Sequence, residues 1–339
     1  MTHYGAGADL PRFKWMLGHL TASTPKPEGN LTGRVAVVTG ATSGLGYACA
    51  CHFARLNTST IIFAVRSPEK AKTWIQRLYK EVPSFRGEVK ALALDLNRLE
   101  SVKAFVGELD KLVDRLDFAV LNAGVAPLKH IDSPHGFNQD IQVNVVSTGL
   151  LALLLLPKLG ATAKLPQPDG ATPMAKSQLL VVASEETQKL LLDADKPLQA
   201  ASVPGFREKI PADEMYQITK LFDVFLARKI GALTASAGVQ VTSTSPGLCQ
   251  SGLRDDFGPV AAWIFNRIAW SAEFGTRYYM RAVLLPHPQG SFISPVGDDF
   301  PPSTFACSKE GVQVEERMWA EACGVWKEAA PEVKEVLGA

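Results

Sequence analysis

Six short apolar runs, separated by stretches long enough to hold a helix, constrain this chain more than any other feature. They cover residues 35–38, 60–65, 89–94, 118–121, 179–183 and 239–244. Runs this short and this uniformly apolar read as strands buried on both faces, and Ser67-Pro68 after the second run is a helix start. Strands alternating with helices predict one parallel sheet with helices on both of its sides, an α/β architecture. A chain of 339 residues could hold two average domains, but its 46% hydrophobic content suffices for one large core. We therefore read residues 1–30 as a leader and residues 31–339 as a single domain.

Some segments exceed a minimal fold of this kind. Residues 158–176 and 185–213 read as inserts. Residues 252–285 form an apolar, aromatic stretch after the sixth strand, with Phe257, Trp263, Phe265, Trp270, Phe274, Tyr278 and Tyr279. It falls at the carboxyl edge of the sheet, where open α/β sheets bind ligands, so it is expected to supply part of a substrate pocket. Residues 314–337 read as a final amphipathic helix. The leucine run 149–156 stops at Pro157, far short of the ~20 residues that cross a bilayer, and reads as a buried helix. Residues 10–17 are amphiphilic and read as an arm packed on the domain.

Charge and cysteine content exclude several classes of function. A net charge of +1 without basic runs argues against nucleic acid as a partner. Five scattered cysteines without a C-x-x-C pair read as reduced thiols, and with no signal peptide they point to a cytoplasmic protein. No cluster has metal-ligand spacing, so no metal site is expected.

Two motifs carry the chemistry. Thr39-Gly40-Ala41-Thr42-Ser43-Gly44-Leu45-Gly46 closes the first strand and opens a helix. Backbone N–H groups must approach a pyrophosphate there, so side chains are excluded at the contact points. Far downstream, Tyr216-Gln217-Ile218-Thr219-Lys220 sets a phenol and an ammonium one helical turn apart. A free phenol is a poor proton carrier near neutrality, its ordinary pKa being about 10, and an adjacent ammonium eases loss of its proton.

The T-G-x-x-x-G-x-G spacing of Gly40, Gly44 and Gly46 resembles the short-chain dehydrogenase/reductase family. Further matches follow in order: Asp95-Leu96, Asn122-Ala123-Gly124, Asn144, Ser184, Tyr216 with Lys220, and Pro246-Gly247. The likeness spans about residues 32–285. It implies a doubly wound Rossmann sheet and a nicotinamide-dependent oxidoreductase. By this resemblance Asn144, Ser184, Tyr216 and Lys220 are catalytic: Ser184 holds the substrate oxygen, Tyr216 transfers the proton, Lys220 also holds the nicotinamide ribose, and Asn144 holds a water linking Lys220 to solvent. Thr39, Gly40, Ser43, Gly44, Leu45, Gly46, Asp95, Leu96, Asn122, Ala123, Gly124, Tyr216, Lys220, Pro246 and Gly247 would hold the cofactor. Ser251 stands where the family often has a threonine bonding the carboxamide.

Cofactor choice turns on the end of the second strand. An acid there favours NAD, whereas this chain has Val65-Arg66-Ser67, and Arg66 suits the 2′-phosphate of NADP(H). The sequence thus points to NADPH-dependent reduction of a ketone or aldehyde on a hydrophobic small molecule. Two alternatives remain open, NADP- or NAD-dependent oxidation of a secondary alcohol and a cofactor-binding non-redox cyclase or scaffold. The leader, insert and tail resemble the retinol-dehydrogenase-like branch, especially fungal secondary-metabolism reductases. The family pairs subunits through the helices carrying Asn144 and Tyr216, so a homodimer is implied unless the inserts block it.

Overall fold

The computed structural model describes residues 21–174, 176–184, 194–203, 205–206, 212–250, 269–295 and 304–338. The amphiphilic arm, most of the second insert, Ser251 and the aromatics Phe257, Trp263 and Phe265 lie outside the described residues.

Seven parallel strands form one sheet in the order β3-β2-β1-β4-β5-β6-β7. They are β1 (Val35–Thr39), β2 (Thr60–Val65), β3 (Glu88–Ala93), β4 (Phe118–Leu121), β5 (Ser177–Val182), β6 (Val239–Thr244) and β7 (Ser291–Ile293). The order reverses between β1 and β4, and a doubly wound sheet opens its ligand crevice at that switch point. Among the described residues the helices that frame the sheet are α1 (Gly44–Arg55), α2 (Pro68–Glu81), α3 (Leu99–Leu112), α4 (Thr148–Ala163), α5 (Ala212–Leu233), α6 (Ala272–Leu284), α7 (Lys309–Ala329) and α8 (Val333–Leu337).

Alternate residues of each strand feed two cores. Ala36 and Val38 of β1 face α1, α2 and α6, among Phe53, Leu78 and Met280. Val35 and Val37 face the opposite layer, where α3, α4, α5, α7 and α8 contribute Phe105, Leu151, Phe225, Met318 and Val333.

Helix α4 differs from its sequence reading. It runs straight through Pro157 to Ala163 rather than ending there, so the insert begins six residues later than expected. An internal proline costs roughly 3 kcal/mol in a helix. The last turn offsets this by burying Leu159 and by using the Thr162 hydroxyl to accept the Leu116 N–H at 2.8 Å. Ahead of α4, residues Gln142–Ser147 form a π-helical segment. The continuous stretch Gln139–Ala163 is long and apolar enough to cross a bilayer, yet most of it is buried within the protein, as in a core helix.

An all-round apolar helix needs cover on its outer side as well. For α4 and α5 that cover is the chain's own α7 and α8. Trp326 of α7 packs its ring so tightly over Gly149 that a Cβ there would lie 2.3 Å from it, and its indole N–H donates to the Val146 carbonyl at 2.8 Å. Arg228 pairs with Glu315 at 2.8 Å, Lys229 pairs with Glu316, and Lys103 donates to the Ala329 carbonyl. The helices through which the resemblance implied subunit pairing therefore already carry a layer of this chain. The tail is two helices rather than one, broken at Ala330 and Pro331.

Candidate active site

The turn after β1 is built for backbone approach. Gly40 and Gly44 have φ of +67° and +47°, in the region that favours glycine. A Cβ on Gly46 would lie 2.3 Å from the Gly40 carbonyl oxygen. Helix α1 starts at Ser43 with no side-chain cap and no acid in its first turn, so its leading N–H groups are open to an anion. Thr39 braces this cradle from beneath. It is buried, its hydroxyl accepts the N–H groups of Asn122 and Ala123 at 2.9 and 2.8 Å, and its carbonyl accepts from the Asn122 amide at 2.9 Å. Tyr279 of α6 donates its hydroxyl to Asn122 Oδ1 at 3.1 Å, fixing that side chain from the other side. The residues present fit a dinucleotide pyrophosphate.

Around the cradle, the remaining candidate binding residues divide into exposed and structural ones. Arg66 is exposed at the end of β2 and has no carboxylate partner among the described residues. Asp95 holds its own loop, accepting the Asn97 N–H at 3.0 Å, while Leu96 is buried in the core. Gly247 has φ of +71°, and a Cβ there would lie 2.6 Å from the Trp270 ring. The Pro246 carbonyl accepts from the Cys249 thiol.

At the carboxyl ends of β4 and β5 the catalytic candidates converge. Lys220 Nζ donates to the Val182 carbonyl at 2.8 Å, two residues before Ser184, and lies 5.5 Å from the centre of the Tyr216 ring. Asn144, in the π-helical segment, has a fully engaged side chain. Its Oδ1 accepts the Val125 N–H, and its Nδ2 donates to the Val125 carbonyl and to the Thr219 hydroxyl. Gly124 lies between these groups, since a Cβ there would meet Asn144 Oδ1 at 3.2 Å and Lys220 Nζ at 3.6 Å.

Lys220 also donates to Asp223 Oδ2 at 2.8 Å, with both side chains buried. Burial disfavours the Lys220 ammonium, but Asp223 and Tyr216 more than restore it and hold its pKa above the ordinary value. Burial pushes Asp223 up to about 6, against the pull of Lys220.

A sequence profile described as "short chain dehydrogenase" matches residues 34–164. A short-chain dehydrogenase/reductase of Aspergillus flavipes, ffsI, is 32% identical over 349 aligned residues, covering 99% of this chain and 98% of that one. Another, phmF of Phaeosphaeria nodorum, is 32% identical over 92% of this chain and 91% of its own. The chain belongs to the short-chain dehydrogenase/reductase family. It is an oxidoreductase of the kind that acts on carbonyl and alcohol groups. The same fold occurs in a solved NADPH-bound carbonyl reductase from chicken fatty liver, with a TM-score of 0.59 at 18% identity, over 80% of this chain and 95% of that one.

Within this family member, sequence reading missed Thr219, Asp223 and Tyr279, each of which fixes a candidate residue. An acid in the apolar run Leu221-Phe222-Asp223-Val224-Phe225, three positions after Lys220, was a readable signal for a same-face pair. His130 and His135, in the loop that follows Gly124, each have a structural partner through Nε2. His130 pairs with Asp132 at 2.7 Å, and His135 accepts the Leu99 N–H at 3.1 Å. All five cysteines are unpaired.

Proposed function

We propose that the protein reduces a ketone or aldehyde on a hydrophobic small molecule, using NADPH. The observation that carries this reading is the meeting of Lys220, Tyr216 and Asn144 at the carboxyl ends of β4 and β5, beside the uncapped start of α1. NADPH, when bound, supplies a hydride. Backbone N–H groups of the turn from Gly40 to Gly46 would hold its pyrophosphate, and Arg66 its 2′-phosphate. Ser184 would orient the substrate oxygen, and Tyr216 would donate its phenolic proton to that oxygen. Lys220 keeps a donor for the nicotinamide ribose. The Asn144 side chain is committed to Val125 and Thr219, so a water linked to Lys220 would rest on its main-chain carbonyl. Trp270 and Phe274, packed edge-on at 4.7 Å, suit an apolar substrate wall next to Gly247. The chicken carbonyl reductase with bound NADPH supports this choice of cofactor and direction. The likeness to secondary-metabolism reductases supports a natural-product intermediate as substrate.

Fluorescence titration of the purified protein with NADPH and NADH, side by side, tests the reading. Tighter binding of NADPH is expected, with the preference reduced about tenfold in Arg66→Ala, equivalent to about 1.4 kcal/mol. A preference for NADH refutes the role given to Arg66 and points to alcohol oxidation. Tyr216→Phe should bind NADPH normally and lose turnover on a panel of ketones. Undiminished product formation would point to non-redox use of the site.

A further inference from the structure

One buried phenol has no part in the reaction as described. Tyr279, on α6, is closed off from solvent and belongs to the same core layer as Ala41 of the glycine turn and Phe53 of α1. A buried tyrosine hydroxyl needs a hydrogen-bond partner. Among the described residues its one partner is Asn122 Oδ1, at 3.1 Å. Burial raises the phenol well above its ordinary pKa, so the group stays a hydroxyl and a donor.

Asn122 meets the glycine turn with the other end of its amide. Its Nδ2 donates to the Thr39 carbonyl at 2.9 Å, and Cβ atoms on Gly46 and Gly40 would lie 2.7 and 3.3 Å from that nitrogen. The amide is a wedge between phenol and turn, and its two ends are not interchangeable. Turned over, it would set its oxygen against the Thr39 carbonyl, two acceptors with no proton between them. The helix that carries the phenol is itself pressed onto the cofactor side. A Cβ on Gly275 would collide with Cys249 Sγ and lie 3.4 Å from the Leu45 side chain, and His52 of α1 donates to the Glu273 carbonyl at 3.0 Å. Tyr279 follows Gly275 by one helical turn, so its hydroxyl is delivered from a fixed support.

We propose that Tyr279 is a positioning residue for the dinucleotide: its hydroxyl sets the Asn122 amide against the glycine turn, so that the helix carrying Phe274 of the apolar wall also contributes to cofactor affinity. This deepens the reductase reading and rests on the role given there to the turn from Gly40 to Gly46. Asn122 is only half-buried, so water can serve its Oδ1 while the turn is open. A dinucleotide lying on the turn shuts that water out, and the phenol is then the donor that remains. Without the hydroxyl, the acceptor goes unmet in the bound state alone, and the loss falls on binding rather than on folding. The pyrophosphate is common to both nicotinamide dinucleotides, so the effect is the same for each. That separates Tyr279 from Arg66, whose replacement changes the preference between them.

The test is fluorescence titration of the full chain with NADPH and with NADH, for wild type, Tyr279→Phe, Asn122→Ala and the double variant. Tyr279→Phe should raise Kd roughly three- to tenfold for both dinucleotides, the span of one hydrogen bond. In the Asn122→Ala background the same change should add less than about twofold, since the hydroxyl then has no amide to hold. In ketone reduction the loss should appear in KM for the dinucleotide rather than in kcat. An unchanged Kd in Tyr279→Phe overturns the proposal. So does a loss confined to NADPH, which would place the effect at the 2′-phosphate. A full loss repeated in the Asn122→Ala background also overturns it, because the packing of α6 would then be responsible. Tyr279→Met, which lacks the hydroxyl too, takes the place of the phenylalanine variant if that one does not fold. The two readings fail separately. A wild type that prefers NADH removes the NADPH assignment and leaves the role of Tyr279 standing, whereas tight binding matched by Tyr279→Phe removes only that role. A wild type that binds neither dinucleotide overturns both.

Discussion

Two buried ion pairs stand at opposite edges of the same sheet, and they are built differently. At the amino edge, Asp117 receives four donors: Arg34 Nη1 and Arg115 Nη2 on Oδ1, and the Val35 N–H and Arg115 Nε on Oδ2. Arg34 extends the cluster to Gln167 and the Thr172 carbonyl, leaving only its Nε without a partner. At the carboxyl edge, Asp223 receives Lys220 alone and keeps one oxygen unmet. Burial is the same in both pairs, and saturation is opposite. A carboxylate that ties strands together is surrounded by donors. One whose partner must serve a reaction is left with fewer, because every added donor would compete with the lysine.

The comparison breaks most visibly if the two aspartates respond alike to replacement. Asp117→Ala leaves the buried Arg34 charge and the Val35 N–H uncompensated, so urea denaturation should show a loss of about 3–5 kcal/mol. A loss under about 1 kcal/mol would make the amino-edge cluster ornamental.

Asp223→Asn should behave otherwise and depend on pH. The folded pKa of Asp223 is raised from its ordinary value to about 6. Its contribution to stability is therefore present below about pH 4 and lost as pH rises through 6. Near pH 4 the variant and wild type should unfold at similar urea concentrations. At pH 7 two effects oppose each other, since the variant removes a costly buried carboxylate but leaves the Lys220 ammonium without its counter-ion, so any loss should stay well below that of Asp117→Ala. A large loss at pH 7 would mean that Asp223 is as structural as Asp117.

The smallest effect sharpens the contrast. Arg115→Gln removes two of the four donors to Asp117 but spares Arg34 and Val35, so a cost of about 1–2 kcal/mol is expected in the same assay.

Much of this architecture is legible in the sequence, and the exceptions have local causes. Five strands announced themselves because each is buried on both faces and so reads as a continuous apolar run, whereas β3, with both ends exposed, was legible only from the run 89–94. Strand β7 was not, since Ser291–Ile293 is three residues long and pairs only with β6. Pro157 reads as a stop in any local rule, and only the packing of Leu159 and Thr162 against neighbours carries α4 past it. The glycine turn and the Tyr216–Lys220 pair were readable because backbone approach and one-turn spacing leave marks in the chain. Thr219 and Tyr279 leave none. Their work is to hold Asn144 and Asn122, and those contacts join residues 75 and 157 positions apart. Asp223 is the intermediate case, visible as an acid among apolar neighbours but interpretable only once its partner is known.

The indole of Trp326 reaches the carbonyl of Val146 across 180 positions of sequence and lies in the hollow above Gly149. The segment that presents Asn144 is therefore roofed by residues near the end of the chain. During synthesis, in which a chain emerges amino end first, the glycine turn and β1 to β6 are all made while this roof is still missing. A nascent enzyme can thus gather its nucleotide cradle early, yet the leucine-rich outer side of α4 stays bare until α7 and α8 arrive. For a ribosome stalled short of Trp326, the hazard lies less in lost chemistry than in a sticky surface waiting for a cover that never comes.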